Sequence, residues 1–189
     1  MSNRPKTDEA TLAARLADPQ TRRQAFTEVI KTYQEQIYWQ IRRLVLNHDD
    51  AADILQDTLL KAWQGLDAFR GDSKISTWLY TIAQRNCLTF LQKAQAEREM
   101  TQEDPDGYVM DSLEADTYFD GDATQRLLLE AIASLPARQR QVFTLRYFDG
   151  VPYEDLAAMT GAAIGSLKAS YHFAVDKVAA YIRSREVPS

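Results

Sequence analysis

Side chains that suit contacts with DNA bases gather near the start of the last predicted helix, which begins at about residue 164. Its outward positions are Ser166, Lys168, Ala169, Ser170 and His172. A serine can donate to or accept from a base edge, a lysine can reach guanine acceptors or a phosphate, and an alanine can touch a thymine methyl group. These positions point outward if Leu167 and Tyr171 pack inward. The pattern therefore indicates contact with a nucleic acid.

The elements that would position these side chains form a helix-turn-helix. A short helix over residues 152–159 precedes the turn Thr160-Gly161, and the helix described above follows it. In DNA-binding proteins with this motif, the second helix lies in the major groove. Arg138 and Arg140, a little earlier in the chain, are placed to hold phosphates. The alternative is a helical hairpin with no nucleic-acid partner, because the motif alone is not specific.

Hydrophobic residues recur at three- and four-residue steps through most of the chain, and no segment alternates as a strand would. The predicted helices cover residues 11–17, 21–46, 50–65, 76–99, 127–132, 136–147, 152–159 and 164–183. In the third of these, Leu55, Leu59 and Trp63 share one face, and three acids share another. The pattern predicts an all-α protein made of two small helical domains joined by an acidic linker.

One segment makes the chain acidic. The net charge is −5, and residues 97–122 hold ten acids against one base, Arg98, whereas 1–96 and 123–189 each carry a net +2. Pro105, Gly107 and Gly121 break any helix there. The predicted domains are therefore 1–96 and 123–189, with a linker over 97–122 that self-repulsion extends. This linker is either a solvated tether or an acidic strand that lies in a basic channel of a partner.

Several classes of protein are excluded by composition. No run of 18 uncharged apolar residues exists, so no membrane-spanning helix is expected, and the N-terminus has no secretory pattern. One cysteine, Cys87, and two histidines do not make a histidine- or cysteine-rich metal site. No nucleophile–base pair or phosphate-binding glycine loop is evident. We therefore expect a cytoplasmic protein that is not an enzyme and needs no cofactor or metal.

Two stretches resemble bacterial sigma factors of the sigma-70 family, specifically the extracytoplasmic-function (ECF) type. Residues 50–63 and 69–83 resemble region 2 of that family, and residues 134–157 with 165–174 resemble region 4. The two blocks stand in the family's order, and the region found between them in larger sigma factors is missing. The resemblance implies a transcription initiation factor that binds core RNA polymerase, directs it to specific promoters and melts the minus-ten element.

In region 2 of the family, a helix binds the clamp helices of the polymerase β′ subunit. The resemblance assigns that contact to Asp50, Asp53, Gln56, Asp57 and Leu60. Most of these residues form a mixed acidic and apolar stripe, which suits a basic coiled-coil partner. The alternative is an ordinary solvated helix face.

The family's next loop and helix capture the minus-ten element. Melting requires pockets for extruded bases and planar groups that stack on them. The resemblance assigns this role to Arg70, Asp72, Ser73, Lys74, Trp78, Tyr80, Gln84, Arg85 and Lys93. Trp78 is also a candidate core residue.

In region 4, the second helix of the helix-turn-helix reads the minus-thirty-five element. The residues assigned to that contact are Arg138, Arg140, Ser166, Lys168, Ala169, Ser170, Tyr171 and His172. Many members of the family carry arginines where this chain has Ser170 and Phe173.

The expected partners are core RNA polymerase, through its β′ clamp helices and its β flap, and promoter DNA. The resemblance also implies an anti-sigma factor, which in this family is often anchored in the membrane and clamps the two modules together. Two other functions fit the pattern. One is a sigma-like decoy that sequesters an anti-sigma factor without binding DNA, because the helix from Ile164 to Val175 holds one lysine and no arginine. The other is a dimeric helix-turn-helix repressor.

Overall fold

The computed structural model describes residues 9–69, 71, 73–101, 110, 111, 113 and 122–185. Within those ranges the chain is helical and contains no strand, which confirms the predicted all-α class. The helices are α1 (Glu9–Ala17), α2 (Arg22–Val45), α3 (His48–Gln64), α4 (Ile75–Thr101), α5 (Ala123–Ala133), α6 (Ala137–Tyr147), α7 (Tyr153–Thr160) and α8 (Ile164–Arg185). A 3-10 turn over Leu66–Ala68 follows α3.

The N-terminal module consists of α1 to α4. Helices α2, α3 and α4 contact one another, and α1 lies against α2. Their shared core follows the predicted periodicity along α2, where Val29, Ile37 and Ile41 are fully buried. Small residues let α4 approach closely, since Ala83 and Cys87 are also fully buried. This bundle fixes the directions in which the outer faces of α3 and α4 point.

The buried face of α3 differs from the face that the sequence indicates. The core side of α3 is formed by Ala51, Ile54, Thr58 and Ala62. Trp63 remains 40% exposed and lies beside Phe26, with 5.2 Å between ring centroids. The small Ala51 and Ala62 favour close packing of α3 on its neighbours, whereas Leu55 and Leu59 are only partly buried.

The C-terminal module consists of α5 to α8. Helix α8 packs on α5, α6 and α7, and the module holds two apolar clusters. The turn between α7 and α8 contains Gly161 in the left-handed region, with φ of 72°, which an L side chain rarely adopts. Leu167 is buried, as predicted. The pair α7 and α8 is the helix-turn-helix that the sequence predicts.

The two modules pack directly against each other, with α2 and α4 of the first touching α6 and α7 of the second. Arg140 of α6 is 4% exposed and reaches across this contact. Its Nη1 donates to the carbonyl oxygen of Leu44 at 3.0 Å, and its Nη2 donates to the carbonyl oxygen of Leu135 at 3.0 Å. One buried guanidinium therefore joins the end of α2 to the segment after α5.

Part of the acidic segment is structured. Helix α4 continues to Thr101, and Arg98 within it pairs with Asp111 at 2.7 Å. Leu113 is fully buried in a cluster that also includes Ala133 of α5 and the core of the N-terminal module. At these residues the segment is packed rather than extended, because apolar burial and the Arg98 pair offset its self-repulsion. Residues 102–109, 112 and 114–121 of the predicted linker lie outside the described residues.

Asn47 at the start of α3 provides a test of how this helix is fixed. Its side-chain oxygen accepts hydrogen bonds from the backbone N–H groups of Asp49 at 2.9 Å and Asp50 at 3.1 Å. We expect Asn47→Ala to lower the free energy of unfolding by about 1 kcal/mol, because two helix-terminal donors lose their partner. Asn47→Asp keeps an acceptor and is the matched control. Urea unfolding followed by circular dichroism measures both, and equal midpoints for the two variants would contradict the assignment.

Candidate nucleic-acid and protein interfaces

The acidic stripe of α3 (Asp50, Asp53, Gln56, Asp57 and Leu60) lies on the outer surface of the N-terminal module. Asp53, Gln56 and Asp57 are exposed, Leu60 is 54% exposed, and Asp50 is partly buried. The residues opposite, Ile54 and Thr58, are buried. Because these residues recur every three or four positions, they lie on one side of α3 and form a continuous strip that faces solvent. This geometry suits a partner with basic side chains around an apolar contact.

Helix α8 presents most of its predicted contact residues to solvent. Ser166, Lys168, Ala169 and His172 are exposed, and Ser170 is partly buried. Lys168 has its Nζ 5.6 Å from the centroid of the Tyr153 ring on α7. The Nε2 atom of His172 lies 3.6 Å from the Oδ2 atom of Asp176. These predicted contact residues of α8 are thus polar or small, and Lys168 is the one lysine among them.

Tyr171 lies on the inner side of α8. It is partly buried and stacks on Phe143 of α6, with 6.0 Å between ring centroids. The sequence places Tyr171 inward as a packing residue and, by resemblance, among the contacts of the reading helix. In this structure the ring packs within the C-terminal module, so it stabilises the position of α8 on the side opposite its exposed face.

The two arginines predicted to hold phosphates have different environments. Arg138 is exposed at the start of α6. Arg140 is buried, and its guanidinium donates to three carbonyl oxygens, those of Leu44, Ala133 and Leu135. The expectation that Arg140 holds a phosphate is therefore not met in this arrangement. The physical reason is that carbonyl oxygens near the ends of α2 and α5 lack partners within their helices. The N–H groups of Arg140 donate to these oxygens and are therefore not available to a phosphate.

The predicted minus-ten residues fall into three groups. Arg70 and Asp72 lie outside the described residues. Ser73 and Lys74, just before α4, are exposed, as are Arg85 and Lys93 along that helix. The Nζ atom of Lys93 lies 3.8 Å from the Oε1 atom of Glu97 in the next turn. These exposed groups form a polar and basic edge on α4. Trp78, Tyr80 and Gln84 make up the third group, and all three are packed.

Trp78 is partly buried against the core of the N-terminal module and lies beside Phe69, with 4.8 Å between ring centroids. The core interpretation of this residue thus has support from the structure. The exposed part of the ring and Phe69 still form an aromatic surface next to the loop that contains Ser73.

Tyr80 and Gln84 face the C-terminal module. Tyr80 packs against apolar clusters of both modules, and its hydroxyl donates to the Oε1 atom of Gln36 at 3.1 Å. Its burial, with the nearby Asp149 carboxylate, raises the pKa of Tyr80 to about 12. Gln84 is 2% exposed and accepts a hydrogen bond from Gln141 of α6 at 3.3 Å. Neither is open to an extruded base in this arrangement, because the C-terminal module covers them.

An ion pair completes this contact. The Nη1 atom of Arg43 lies 2.8 Å from the Oδ1 atom of Asp149, and the two side chains are 26% and 20% exposed. The same guanidinium lies over the ring of Phe148 at 4.8 Å. Burial raises the pKa of Asp149, an effect that Arg43 opposes. Sequence reasoning missed this pair because no periodic pattern links residues so far apart. We call Arg43, Tyr80, Gln84, Arg140, Gln141 and Asp149 the junction.

Other groups with potential chemistry play structural roles. Cys87 is fully buried, and burial raises the pKa of its thiol, so the reactive thiolate is strongly disfavoured. The described residues contain no group of three or more histidine, cysteine or acidic side chains placed to hold a metal ion. Among the same residues, no helix is both long and apolar enough to cross a membrane.

Two family models match the chain. The model of sigma-70 region 2 matches residues 29–97, and the model of sigma-70 region 4 matches residues 125–178. The first match covers most of the N-terminal module, including the acidic stripe. The second covers α6, α7 and much of α8.

Similar proteins agree with these models. The ECF RNA polymerase sigma-E factor of Escherichia coli is 31% identical over 159 residues, which cover 76% of this chain and 79% of that protein. The RNA polymerase sigma-H factor of Pseudomonas aeruginosa is 32% identical over 154 residues, which cover 77% of this chain and 80% of that protein.

Two solved structures share the architecture. The sigma factor RpoE of Bartonella quintana, in complex with the anti-sigma factor NepR, matches with a TM-score of 0.64 at 26% identity over 84% of this chain and 96% of that one. CnrH, in complex with the cytosolic domain of CnrY, matches with a TM-score of 0.66 over 93% of this chain and 97% of that one. At 19% identity the second likeness concerns the fold alone. With both regions matched in order, the chain belongs to the sigma-70 family as a sigma factor of the ECF type, which directs RNA polymerase to promoters.

Proposed function

We propose that the chain binds core RNA polymerase through the acidic stripe of α3 and contacts the promoter with both modules. Residues 1–96 engage the β′ clamp helices and open the minus-ten element, residues 123–189 bind the minus-thirty-five element, and residues 97–122 connect them. The observation that carries this proposal is that the chain, in one arrangement, exposes an acidic and apolar strip on α3 and the predicted contact residues on α8. The first suits a basic protein surface, and the second suits a DNA groove.

Contact with the minus-thirty-five element centres on the exposed part of α8. Ser166, Lys168, Ala169 and His172 are accessible without rearrangement, and Ser170 is partly accessible. Arg138 holds a phosphate nearby. Tyr171 positions α8 through its stacking on Phe143.

Opening of the minus-ten element uses the loop before α4 and the exposed edge of that helix. Arg70, Asp72, Ser73 and Lys74 provide hydrogen-bonding groups for extruded bases, and Trp78 with Phe69 provides a stacking surface. Arg85 and Lys93, both exposed, track the phosphates of the displaced strand.

Full engagement of the promoter requires the junction to open. Tyr80, Gln84 and Arg140 are among the expected DNA contacts, yet all three are covered where the modules meet. The acidic stripe stays exposed in the same arrangement. Polymerase therefore binds the closed chain first, and separation of the modules on the polymerase releases the covered residues. This order explains how the free chain avoids competing for DNA by itself.

We also propose the remaining partners and the location. The apolar surface of the C-terminal module, where Tyr147 is 57% exposed, binds the β flap. An anti-sigma factor binds the chain and holds the closed arrangement; the presence of an anti-sigma factor, NepR, in the complex of the similar RpoE supports such a partner. The chain acts in the cytoplasm without a cofactor. The acidic segment extends toward the polymerase cleft when the modules part, which favours its role as a nucleic-acid mimic over a passive tether.

The decoy alternative is not favoured. A decoy needs no DNA-binding surface, whereas both the region 2 and the region 4 models match this chain, and the face of α8 is open to solvent. A self-sufficient dimeric repressor would not need the acidic stripe of α3.

Transcription from reconstituted holoenzyme tests the function directly. Core polymerase with the full chain should yield products that start at defined sites on genomic DNA fragments, and core polymerase alone should not. Filter binding should show weak binding of the chain alone to the same fragments, since each module carries a net charge of only +2 and affinity for DNA depends on the neutralisation of phosphates. Start-site products that do not depend on the chain would contradict the proposal.

A charge reversal in the acidic stripe tests its role. We expect Asp57→Arg to weaken binding to core polymerase by about ten-fold or more, because a basic partner would then face a like charge. Glu35→Arg, which reverses an exposed acid on α2, is the matched control and should bind as the unmodified chain does. Fluorescence anisotropy of labelled chain measures both, and equal losses would argue against a specific contact.

A charge swap across the junction tests the closed arrangement. Asp149→Arg or Arg43→Asp alone places like charges together and should destabilise closure by about 2 kcal/mol. The double variant Arg43→Asp with Asp149→Arg restores an attractive pair and should close again. Small-angle X-ray scattering should show a larger radius of gyration for each single variant than for the double variant. The same radius in all three would show that this pair does not hold the modules together.

A further inference from the structure

Phe173 is a large apolar side chain on the solvent side of α8, and no expected contact uses it. The residues of α8 that face the core include Leu167, Ala174 and Val178, all buried. Phe173 is 58% exposed and belongs to neither apolar cluster of its module. Its ring centroid lies 6.4 Å from that of His172, the preceding residue. A ring kept at the surface of a reading helix is available to a ligand.

Phe173 continues an uncharged line along the outer face of α8. Gly165, Ala169 and Phe173 recur every four residues, so they lie on the same side of the helix. A Cβ atom built on Gly165 would meet nothing within 4 Å, and Ala169 is exposed. Side-chain size therefore increases along this line, from no side chain at Gly165 to a methyl group at Ala169 and an aromatic ring at Phe173. It offers apolar contact and no hydrogen bond.

The surroundings of this line carry polar and charged groups. Ser166 and Ser170 lie on one side of it, and Lys177 stands exposed one turn beyond Phe173. Asp176 and His172 lie on the other side of the line, and the Asp176 carboxylate is 3.6 Å from the Nε2 atom of His172. An apolar centre with hydroxyl and ammonium groups around it fits a major groove, where base edges lie between two phosphate backbones.

Only one base edge in the major groove presents an apolar group. Guanine, adenine and cytosine offer hydrogen-bond donors or acceptors there, whereas thymine adds its C5-methyl group. An aromatic ring over a donor or acceptor would remove water from it without replacing the hydrogen bond, which is unfavourable. The same ring over a methyl group buries apolar surface on both sides.

We propose that Phe173, with Ala169, contacts thymine C5-methyl groups in the promoter element that α8 reads, and that this contact helps to set promoter specificity. The inference rests on the proposed binding of α8 in the major groove. It predicts that the element contains thymine opposite the third turn of α8. Recognition of that base pair then depends on contact with the thymine methyl group rather than on charged side chains.

The test removes the methyl group alone. Holoenzyme made from the full chain and core polymerase first selects its preferred element from promoters randomised in the minus-thirty-five region. Each thymine of that element is then replaced singly by deoxyuridine, which pairs identically and lacks only the methyl group. With the unmodified chain, at least one replacement should weaken complex formation by about four-fold, the effect of one buried methyl group. With Phe173→Ala, that replacement should have no further effect.

Two further variants control the measurement. Phe173→Leu keeps an apolar contact and should retain part of the deoxyuridine effect, and Val175→Ala trims another exposed apolar side chain of α8 and should retain all of it. Circular dichroism confirms that each variant is folded.

The inference is overturned if the selected element lacks thymine, if no deoxyuridine replacement matters, or if Phe173→Ala keeps the full effect. A loss of polymerase binding in Phe173→Ala with the methyl effect unchanged would assign the ring to a protein contact instead, and would also overturn it. These outcomes are distinct from failure of the proposed function, in which the unmodified holoenzyme selects no element at all.

Discussion

The buried guanidinium of Arg140 is the constraint on which the arrangement of the modules depends. A charge without partners in a protein interior is costly, so Arg140 is stable at 4% exposure only while acceptors surround it. It has them because α2 and α5 both end beside it, and the last carbonyl groups of a helix lack partners within that helix. The carbonyl of Leu44 comes from the other module. Closure therefore adds the Leu44 acceptor to the two that the C-terminal module itself supplies.

This dependence also limits how strongly the modules are held. When they separate, Arg140 returns to water, which hydrates a guanidinium well, and the hydrogen bonds lost are replaced by others. A buried ionic contact thus gives an orientation without a large net stability, which is compatible with the opening proposed above. The apolar contacts of Tyr80 and the Arg43–Asp149 pair add to closure from neighbouring positions. The acidic stripe on α3 lies outside this contact and is exposed while the modules are together.

Local features of this fold could be predicted from sequence, and the junction could not. Helical periodicity gave α2 and α4 close to their observed ends, and it placed Leu167 inside and Ala169 outside. These properties depend on neighbours three or four residues away. The burial of Gln84 depends on Gln141, which is 57 positions away in the sequence, and that of Arg140 depends on Leu44, which is 96 positions away. From their residue types alone, Gln84 and Arg140 are expected to face solvent or DNA. They are buried instead because the two modules pack together over them. The choice of Ala51 and Ala62 as the core side of α3 depends in the same way on how closely α2 can approach.

The acidic segment is coupled to the same contact. Leu113 is fully buried in a cluster that includes Ala133 of the C-terminal module and the core of the N-terminal module. The N-terminal module supplies most of that cluster and Ala133 comes from the other module, so separation of the modules removes the contribution of Ala133. If the junction opens, Leu113 loses part of its apolar contact, and the repulsion among the acids around it is no longer offset. Opening of the junction is therefore coupled to the burial of Leu113, and in the proposed function the same opening exposes the expected DNA contacts Gln84 and Arg140.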